Sequence, residues 1–94
     1  MGNEHFVYML HCKDGTLYTG YTINIKRRLK MHETGKGAKY TRGRGPFTVV
    51  YWEKFATKTA AMQREYEIKK MNRHEKEDLI EKQRMTRDEH SIKL

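Results

Sequence analysis

The segment FVYMLHCKDGTLYTGYT, residues 6–22, decides the fold because its pattern is that of a β-hairpin. Residues 5–11 (HFVYMLH) alternate and are rich in strand-forming side chains, and residues 16–21 (TLYTGY) predict the returning strand. Lys13-Asp14-Gly15 lies between them and is typical of a turn. We therefore expect two antiparallel strands over this segment.

Each predicted strand carries a phenol, Tyr8 on the first and Tyr18 on the second. A short turn brings these two side chains close to being cross-strand neighbours, an arrangement that serves packing more often than chemistry. Gly20 lies beside them, and a missing side chain in a strand lets a ligand or another backbone approach closely. The hairpin is therefore a candidate floor of a pocket.

The rest of the chain predicts one more strand and three helices. A short helix, IKRRLKMHE, follows the capping residue Asn24, and a last helix, HEKEDLIEKQR, follows Asn72 with Glu75 as its capping partner. Between these helices the pattern predicts a Gly-rich basic loop over 34–46, a strand over 47–53, and a long helix from Thr57 or Thr59 to about Met71. The order β-β-α-β-α-α indicates an α+β domain, a small three-stranded sheet (antiparallel hairpin plus a third strand) flanked by helices.

Size and composition bound the class of protein. The 94 residues suit a single domain, with a core over about 5–82 and a polar, flexible tail over 86–94. No apolar run is long enough for a membrane helix, and the N-terminus lacks the pattern of a secretory signal. The one cysteine, Cys12, offers no disulfide and fits a reducing cytoplasm. The sequence leaves the oligomeric state open.

Positive charge is concentrated in one stretch of the chain. Of the net charge of +8, +7 lies in residues 26–45, which hold eight Lys or Arg and a single acid, Glu33. Such segregation predicts a polyanionic partner, because neutralised phosphates release counterions. The alternative is a solvated face that keeps the protein soluble.

Two predicted helices place a charge on their apolar faces. On the first helix, Arg28 and His32 share the stripe of Ile25 and Leu29, and an inward guanidinium needs either a partner or a ligand unless its stem simply packs there. On the second helix, Glu65 lies on the apolar face, and its partner could be an arginine or a divalent cation such as Mg²⁺.

Other chemistries find no support in the sequence. The five histidines and Cys12 lack the paired spacing of a zinc site. No P-loop, dinucleotide fingerprint or Gly-x-Ser-x-Gly elbow occurs. The sequence therefore does not favour zinc, nucleotide-binding or acyl-transfer chemistry.

The spacing of five residues, Tyr8, Tyr18, Arg28, His32 and Glu65, resembles that of the GIY-YIG nuclease family. The resemblance covers roughly residues 5–80 and is closest to small stand-alone members in which the domain is nearly the whole protein. Phe6-Val7-Tyr8 stands in the place of the first motif and Tyr18-Thr19-Gly20 in the place of the second, so that Phe6 replaces a glycine and Thr19 an isoleucine.

The resemblance implies an endonuclease that hydrolyses phosphodiester bonds in DNA with one divalent ion, Mg²⁺ or Mn²⁺. In this reading Glu65 holds the metal and Arg28 pairs with the scissile phosphate. Tyr8 activates the attacking water, Tyr18 orients the water or contacts phosphate, and His32 positions Tyr8 or shuttles its proton. A free phenol has a pKa near 10, so Tyr8 needs a neighbour that stabilises its phenolate.

The same reading gives the basic loop the task of binding nucleic acid. We expect Gly20 to allow close approach of the substrate, Tyr40 to stack on a base, and flanking phosphates to meet Lys36, Lys39, Arg42 and Arg44. The resemblance further implies that the protein cuts with little sequence specificity and selects branched or single strands. It also implies a role in DNA repair or recombination.

Two rival hypotheses remain open at the level of the sequence. One is a noncatalytic module that binds RNA or DNA and retains the fold. The other is a protein-interaction module that uses Leu79 and Ile80 of the last helix.

Overall fold

The computed structural model describes residues 4–91, with side chains described for residues 4–86. It confirms the predicted β-β-α-β-α-α order and the α+β class. The elements are β1 (His5–His11), β2 (Leu17–Thr22), α1 (Ile25–Glu33), β3 (Thr48–Phe55), α2 (Lys58–Lys69) and α3 (Arg73–Ser91). A one-turn 3-10 helix, Lys39–Thr41, lies within the predicted basic loop.

The sheet is antiparallel, with strand order β2-β1-β3. Tyr8 on the central strand lies opposite Gly20 on β2 and Trp52 on β3. Tyr18 lies opposite Leu10, so the two phenols are diagonal neighbours on one face rather than a directly opposed pair. The register of the hairpin thus differs by two residues from one in which Tyr8 and Tyr18 are directly opposed. The phenols still share a face, because strand side chains alternate with a period of two.

Alternation along β1 divides the core between the two faces of the sheet. Val7 and Met9 point to the face covered by α2, where Ala61 and Ile68 are fully buried. Tyr8 and Leu10 belong to the buried cluster on the other face, which also contains Cys12 and Phe47 and packs against Leu29 of α1. This second face carries the predicted phenols.

The predicted helix caps are confirmed. Asn24 and Thr57 each accept a backbone N–H three residues further on, at 3.0 Å and 3.2 Å respectively. Asn72 and Glu75 form a reciprocal capping box: the Asn72 N–H donates to Glu75 Oε1 at 2.9 Å, and the Glu75 N–H donates to Asn72 Oδ1 at 2.8 Å. Local signals therefore set where all three helices begin.

The last helix is longer than the sequence pattern predicts. It continues past Arg84 to Ser91, so the first part of the predicted tail is helical, whereas residues 92–94 lie outside the described range. Leu79 and Ile80 pack against the core cluster beneath α2, which gives them an internal role. Over residues 4–91, no helix combines the length and apolar character needed to cross a membrane.

Candidate active site

An aromatic cluster joins β1, β2 and α1. The ring centroids of Tyr8 and Tyr18 are 6.2 Å apart, and His32 lies 5.9 Å from Tyr8 and 5.3 Å from Tyr18. Gly20 makes room for this cluster, because a Cβ there would sit 2.5 Å from Tyr8 Oη and 2.9 Å from Tyr18 Cε2. The space above Gly20 is therefore filled by the phenols, which corrects the expectation that this glycine leaves an opening for nucleic acid.

A hydrogen-bonded chain runs through the cluster. Tyr8 Oη lies 2.8 Å from His32 Nε2, and His32 Nδ1 lies 2.7 Å from Thr41 Oγ1. All three side chains are buried, with 1% to 2% of each residue exposed. Burial, with the Arg28 charge as a second cause, lowers the pKa of His32 to about 4, so the imidazole is neutral at physiological pH.

Tyr8 is protonated at neutral pH in the free protein. Burial raises the pKa of Tyr8 to about 12, and the Arg28 guanidinium beside it offsets this only in part. A phenol of this kind is a weak base by itself. The neutral imidazole of His32, to which Tyr8 is hydrogen-bonded, can accept the phenol proton.

Arg28 carries an unsatisfied donor. Its pKa is raised, chiefly by interaction with the Tyr8 phenol and further by Tyr18, and its buried Nε finds no hydrogen-bond partner among the described residues. Arg64 in α2 offers a contrast, since its guanidinium donates to Glu53 at 3.0 Å and to Glu67 at 3.1 Å. Arg28 has no such carboxylate partner within residues 4–86, so the structural ion pair considered from the sequence is absent there. A buried orphan donor is costly unless a ligand satisfies it.

Glu65 lies on the inward side of α2 between the buried residues Ala61 and Ile68, as its helical position predicts. Its side chain is 12% exposed, and Oε2 forms an ion pair with Lys69 Nζ at 3.1 Å. The side chain that pairs with Glu65 is thus a lysine one turn along the same helix rather than an arginine, which was one of the two alternatives that the sequence left open. The carboxylate also contributes to the raised pKa of Tyr8, which links Glu65 electrostatically to the phenol cluster.

For a bound metal ion, the candidate ligand is one carboxylate, that of Glu65. In the part of the chain that is described, no three His, Cys, Asp or Glu side chains form a cluster that could enclose an ion. Mg²⁺ keeps several waters and commonly takes one or two carboxylates together with substrate phosphate. Glu65 fits that role, since its partner Lys69 is 53% exposed and its side chain can turn toward solvent.

The basic loop contributes unequally to the site. Tyr40 stacks on Tyr18 with centroids 5.9 Å apart and remains 50% exposed, so part of its ring is accessible. Arg44 lies 4.7 Å over the Tyr40 ring, donates to the Tyr40 carbonyl and forms an ion pair with Asp14 of the hairpin turn. Arg44 therefore anchors the loop to the hairpin, which differs from its predicted role as a phosphate ligand. The other predicted cations of the loop, Lys36, Lys39 and Arg42, are exposed.

Two residues of the site escape sequence reasoning, Thr41 and Gly37. Thr41 holds one ring nitrogen of His32, and a Cβ at Gly37 would lie 2.8 Å from His32 Cγ and 2.9 Å from its Cα. An inward histidine does signal that both ring nitrogens need partners. Nothing in the loop sequence, however, shows which residue supplies the second one.

These features define a class of small α+β domains in which two tyrosines of a β-hairpin and an arginine of the following helix lie together on one face of the sheet. The sequence profile of the GIY-YIG catalytic domain matches residues 4–78. The chain belongs to the GIY-YIG family, a family of nucleases that act on nucleic acid and generally use a divalent metal.

Similar proteins share most of the chain. A UPF0213 protein of Oceanobacillus iheyensis is 63% identical over 81 residues, which span 86% of this chain and 94% of that protein. One of Natronomonas pharaonis is 56% identical over 80 residues, spanning 85% of this chain and 94% of that protein. The solution NMR structure of the UPF0213 protein of Bacillus halodurans has a TM-score of 0.56 at 55% identity and covers 83% of both chains. A second NMR structure, from E. faecalis, has a TM-score of 0.61 at 39% identity and covers 90% of this chain and 93% of that one.

Proposed function

We propose that the protein is a divalent-metal-dependent endonuclease that hydrolyses phosphodiester bonds in DNA, with Mg²⁺ or Mn²⁺ as its ion. It selects branched or single strands with little sequence specificity and serves DNA repair or recombination. The observation that carries the proposal is Arg28, whose buried Nε lies beside the phenol cluster and has no hydrogen-bond partner within residues 4–86. A phosphate oxygen would satisfy that donor.

The chain's own residues account for the main steps of hydrolysis. When bound at Glu65, the metal supplies charge stabilisation for the phosphate and the leaving oxygen. Arg28 binds the scissile phosphate as negative charge accumulates there. Tyr8 takes a proton from the attacking water and passes its own proton to His32 Nε2. Tyr8 therefore stays neutral, and the proton of the water is in effect transferred to His32. Because the pKa values of about 12 and about 4 are far apart, this relay operates during attack rather than through a preformed phenolate.

Binding of nucleic acid draws on exposed cations of α1 and the loop. Lys26, Arg27 and Lys30 lie on the exposed side of α1, and Lys36, Lys39 and Arg42 are exposed on the loop. Contacts of this kind fix the position of a strand and carry no sequence information directly. The accessible part of Tyr40 offers a surface for an unpaired base, which favours single-stranded or branched DNA.

Two observations favour the rival hypothesis of a noncatalytic nucleic-acid-binding module. Glu65 is already ion-paired with Lys69, and Tyr8 is almost completely buried. Such a module would bind in a salt-dependent way, and its binding would be indifferent to metal and to Glu65.

The deciding experiment incubates the purified protein with single-stranded, branched and duplex DNA, and with matching RNA, in the presence of Mg²⁺, Mn²⁺ or a chelator. We expect metal-dependent cutting of single-stranded or branched DNA that Glu65→Ala abolishes while binding persists. The matched control is Glu67→Ala, because Glu67 lies on the same helix but is exposed and paired with Arg64. Arg28→Ala should lower the rate by about 10²- to 10³-fold.

Absence of metal-dependent cutting on every substrate would overturn the nuclease proposal. Turnover that survives Glu65→Ala would overturn the assignment of the metal to Glu65. Salt-dependent binding without cutting, equal in both glutamate variants, would support the noncatalytic module.

A further inference from the structure

We infer that Thr41 is a positioning residue that fixes His32 with its proton on Nδ1, which leaves Nε2 free to accept the proton of Tyr8. Three buried side chains, Tyr8, His32 and Thr41, are joined by hydrogen bonds in this order. Thr41 is not among the site residues that the sequence predicts. The catalytic consequence rests on the proposed nuclease function, whereas the tautomer itself does not.

In the hydrogen bond between Thr41 and His32, the threonine hydroxyl oxygen is the acceptor. The hydroxyl donates its single proton to the Ala38 carbonyl at 2.9 Å. The same oxygen lies 2.7 Å from His32 Nδ1 and has no second proton to give. Nδ1 must therefore be the donor, and a neutral imidazole with Nδ1–H carries a lone pair on Nε2.

The Tyr8 end leads independently to the same tautomer. The phenol has one proton to place, and Arg28 beside it is a donor with no acceptor atom. His32 Nε2, at 2.8 Å, is the acceptor that the described residues offer to this buried hydroxyl. If Nε2 carried the proton instead, it would donate to Tyr8 Oη, and the Tyr8 O–H would be left as a buried donor without an acceptor among the described residues, at a cost of roughly 1–3 kcal/mol.

The local backbone keeps the imidazole in this orientation. Thr41 ends the 3-10 turn Lys39–Thr41, and both its backbone N–H and its hydroxyl donate to the Ala38 carbonyl, so two hydrogen bonds fix its position. Gly37 packs so closely on His32 that any Cβ there would collide with the ring. Because Tyr40 precedes Thr41, the loop that presents an exposed ring to the substrate is also the loop that holds the histidine.

The test measures the tautomer of His32 directly. Long-range ¹H–¹⁵N correlation spectra of labelled wild-type protein near pH 7 should show the proton on Nδ1. Thr41→Val keeps the shape of the side chain but removes the acceptor, so the Nδ1–H population should fall, whereas Thr41→Ser should retain it. Thr48→Val is the matched control, because Thr48 is exposed at the start of β3.

On a substrate that the wild type cuts, Thr41→Val should lower kcat by about 10- to 100-fold with KM unchanged, and Thr41→Ser should restore the rate. Nε2–H in the wild type, or an unchanged tautomer in a folded Thr41→Val, overturns the inference. If Thr41→Val does not fold, the spectra of the wild type and Thr41→Ser decide alone. If the wild type cuts nothing, the nuclease proposal fails while the spectra still test the role of Thr41.

Discussion

At the scale of single residues, His32 is a titratable side chain that the fold keeps almost completely out of contact with water. The imidazole is 2% exposed, its two nitrogens are hydrogen-bonded to neutral hydroxyls, and a guanidinium lies nearby. None of these neighbours carries a negative charge that could stabilise an imidazolium. The folded protein therefore resists protonation of His32, whereas the unfolded chain accepts a proton near pH 6.5.

This difference predicts a pH-dependent loss of stability. Because the pKa of His32 falls from 6.5 to about 4 on folding, the unfolded state binds the proton more tightly. The contribution of His32 to the free energy of unfolding is fully present above about pH 6.5. It is lost as the pH falls toward about 4, by about 3 kcal/mol in total. Urea denaturation at a series of pH values measures the free energy of unfolding over this window.

The control separates His32 from other groups that titrate in acid. His32→Gln should flatten the wild-type slope between about pH 6.5 and 5, where most carboxylates remain ionised. His74→Gln should leave the slope intact, since His74 is exposed on α3. Equal slopes in the wild type and His32→Gln would show that His32 is not held neutral by the fold.

At the scale of elements, a side chain completes the edge of the sheet. The outward-facing N–H of Trp52 on β3 donates to Gln83 Oε1 at 3.0 Å, and Gln83 Nε2 donates to the Trp52 carbonyl at 2.7 Å. The glutamine amide thus pairs with the strand much as another strand would. It also ties α3 to the sheet, together with Leu79 and Ile80 in the core.

Removal of this amide should destabilise the protein. Gln83→Ala leaves two partly buried backbone groups without their partners, and we expect the free energy of unfolding to fall by about 1–3 kcal/mol. Gln63→Ala on the exposed side of α2 is the matched control and should have little effect. Denaturation followed by the fluorescence of Trp52 measures both, and equal values for the two variants would contradict this role of Gln83.

Elements that depend on local signals could be predicted from the sequence. The hairpin follows from alternation around a turn, and the caps Asn24, Thr57 and Asn72 follow from side chains that serve N–H groups three residues away. Features that join distant residues could not. Gln83 pairs with a strand 31 residues away, and no periodicity in α3 records which backbone group its amide will meet.

The candidate site divides in the same way. The closeness of Tyr8 to Tyr18 and the inward position of Arg28 and His32 could be predicted from the hairpin and helix patterns, whereas the resemblance to the family implied that they share one site. The partners that define their chemistry could not. Thr41 lies in an irregular loop, and the Asp14–Arg44 ion pair joins that loop to the hairpin turn across 30 residues.

At the scale of the whole molecule, charge is distributed with respect to the sheet. The stretch 26–45, with a net charge of +7, forms α1 and the loop, which belong to the face with the phenol cluster. The opposite face is covered by α2 and has ion pairs in which Arg64 is matched by Glu53 and Glu67. A polyanion should therefore bind on the side of Tyr8 and Arg28.

The salt dependence of binding tests this orientation. Replacing the three exposed loop cations Lys36, Lys39 and Arg42 by Gln should remove three phosphate contacts. We expect the slope of log K against log salt to decrease in magnitude by about 2–3, since each contact contributes about 0.7–0.9. Fluorescence anisotropy of labelled single-stranded DNA, measured from about 50 to about 200 mM salt, gives the slope.

A second triple variant has the same change in net charge at other places. Lys58→Gln in α2, Lys70→Gln at its C-cap and Lys82→Gln in α3 remove three exposed cations and should leave the slope nearly unchanged. Because both variants lose three charges, a nonspecific attraction to total charge would weaken them equally. Equal slopes would therefore show that the loop is a solvated face, and a loss confined to the loop variant would place the strand beside Tyr40 and the phenol cluster.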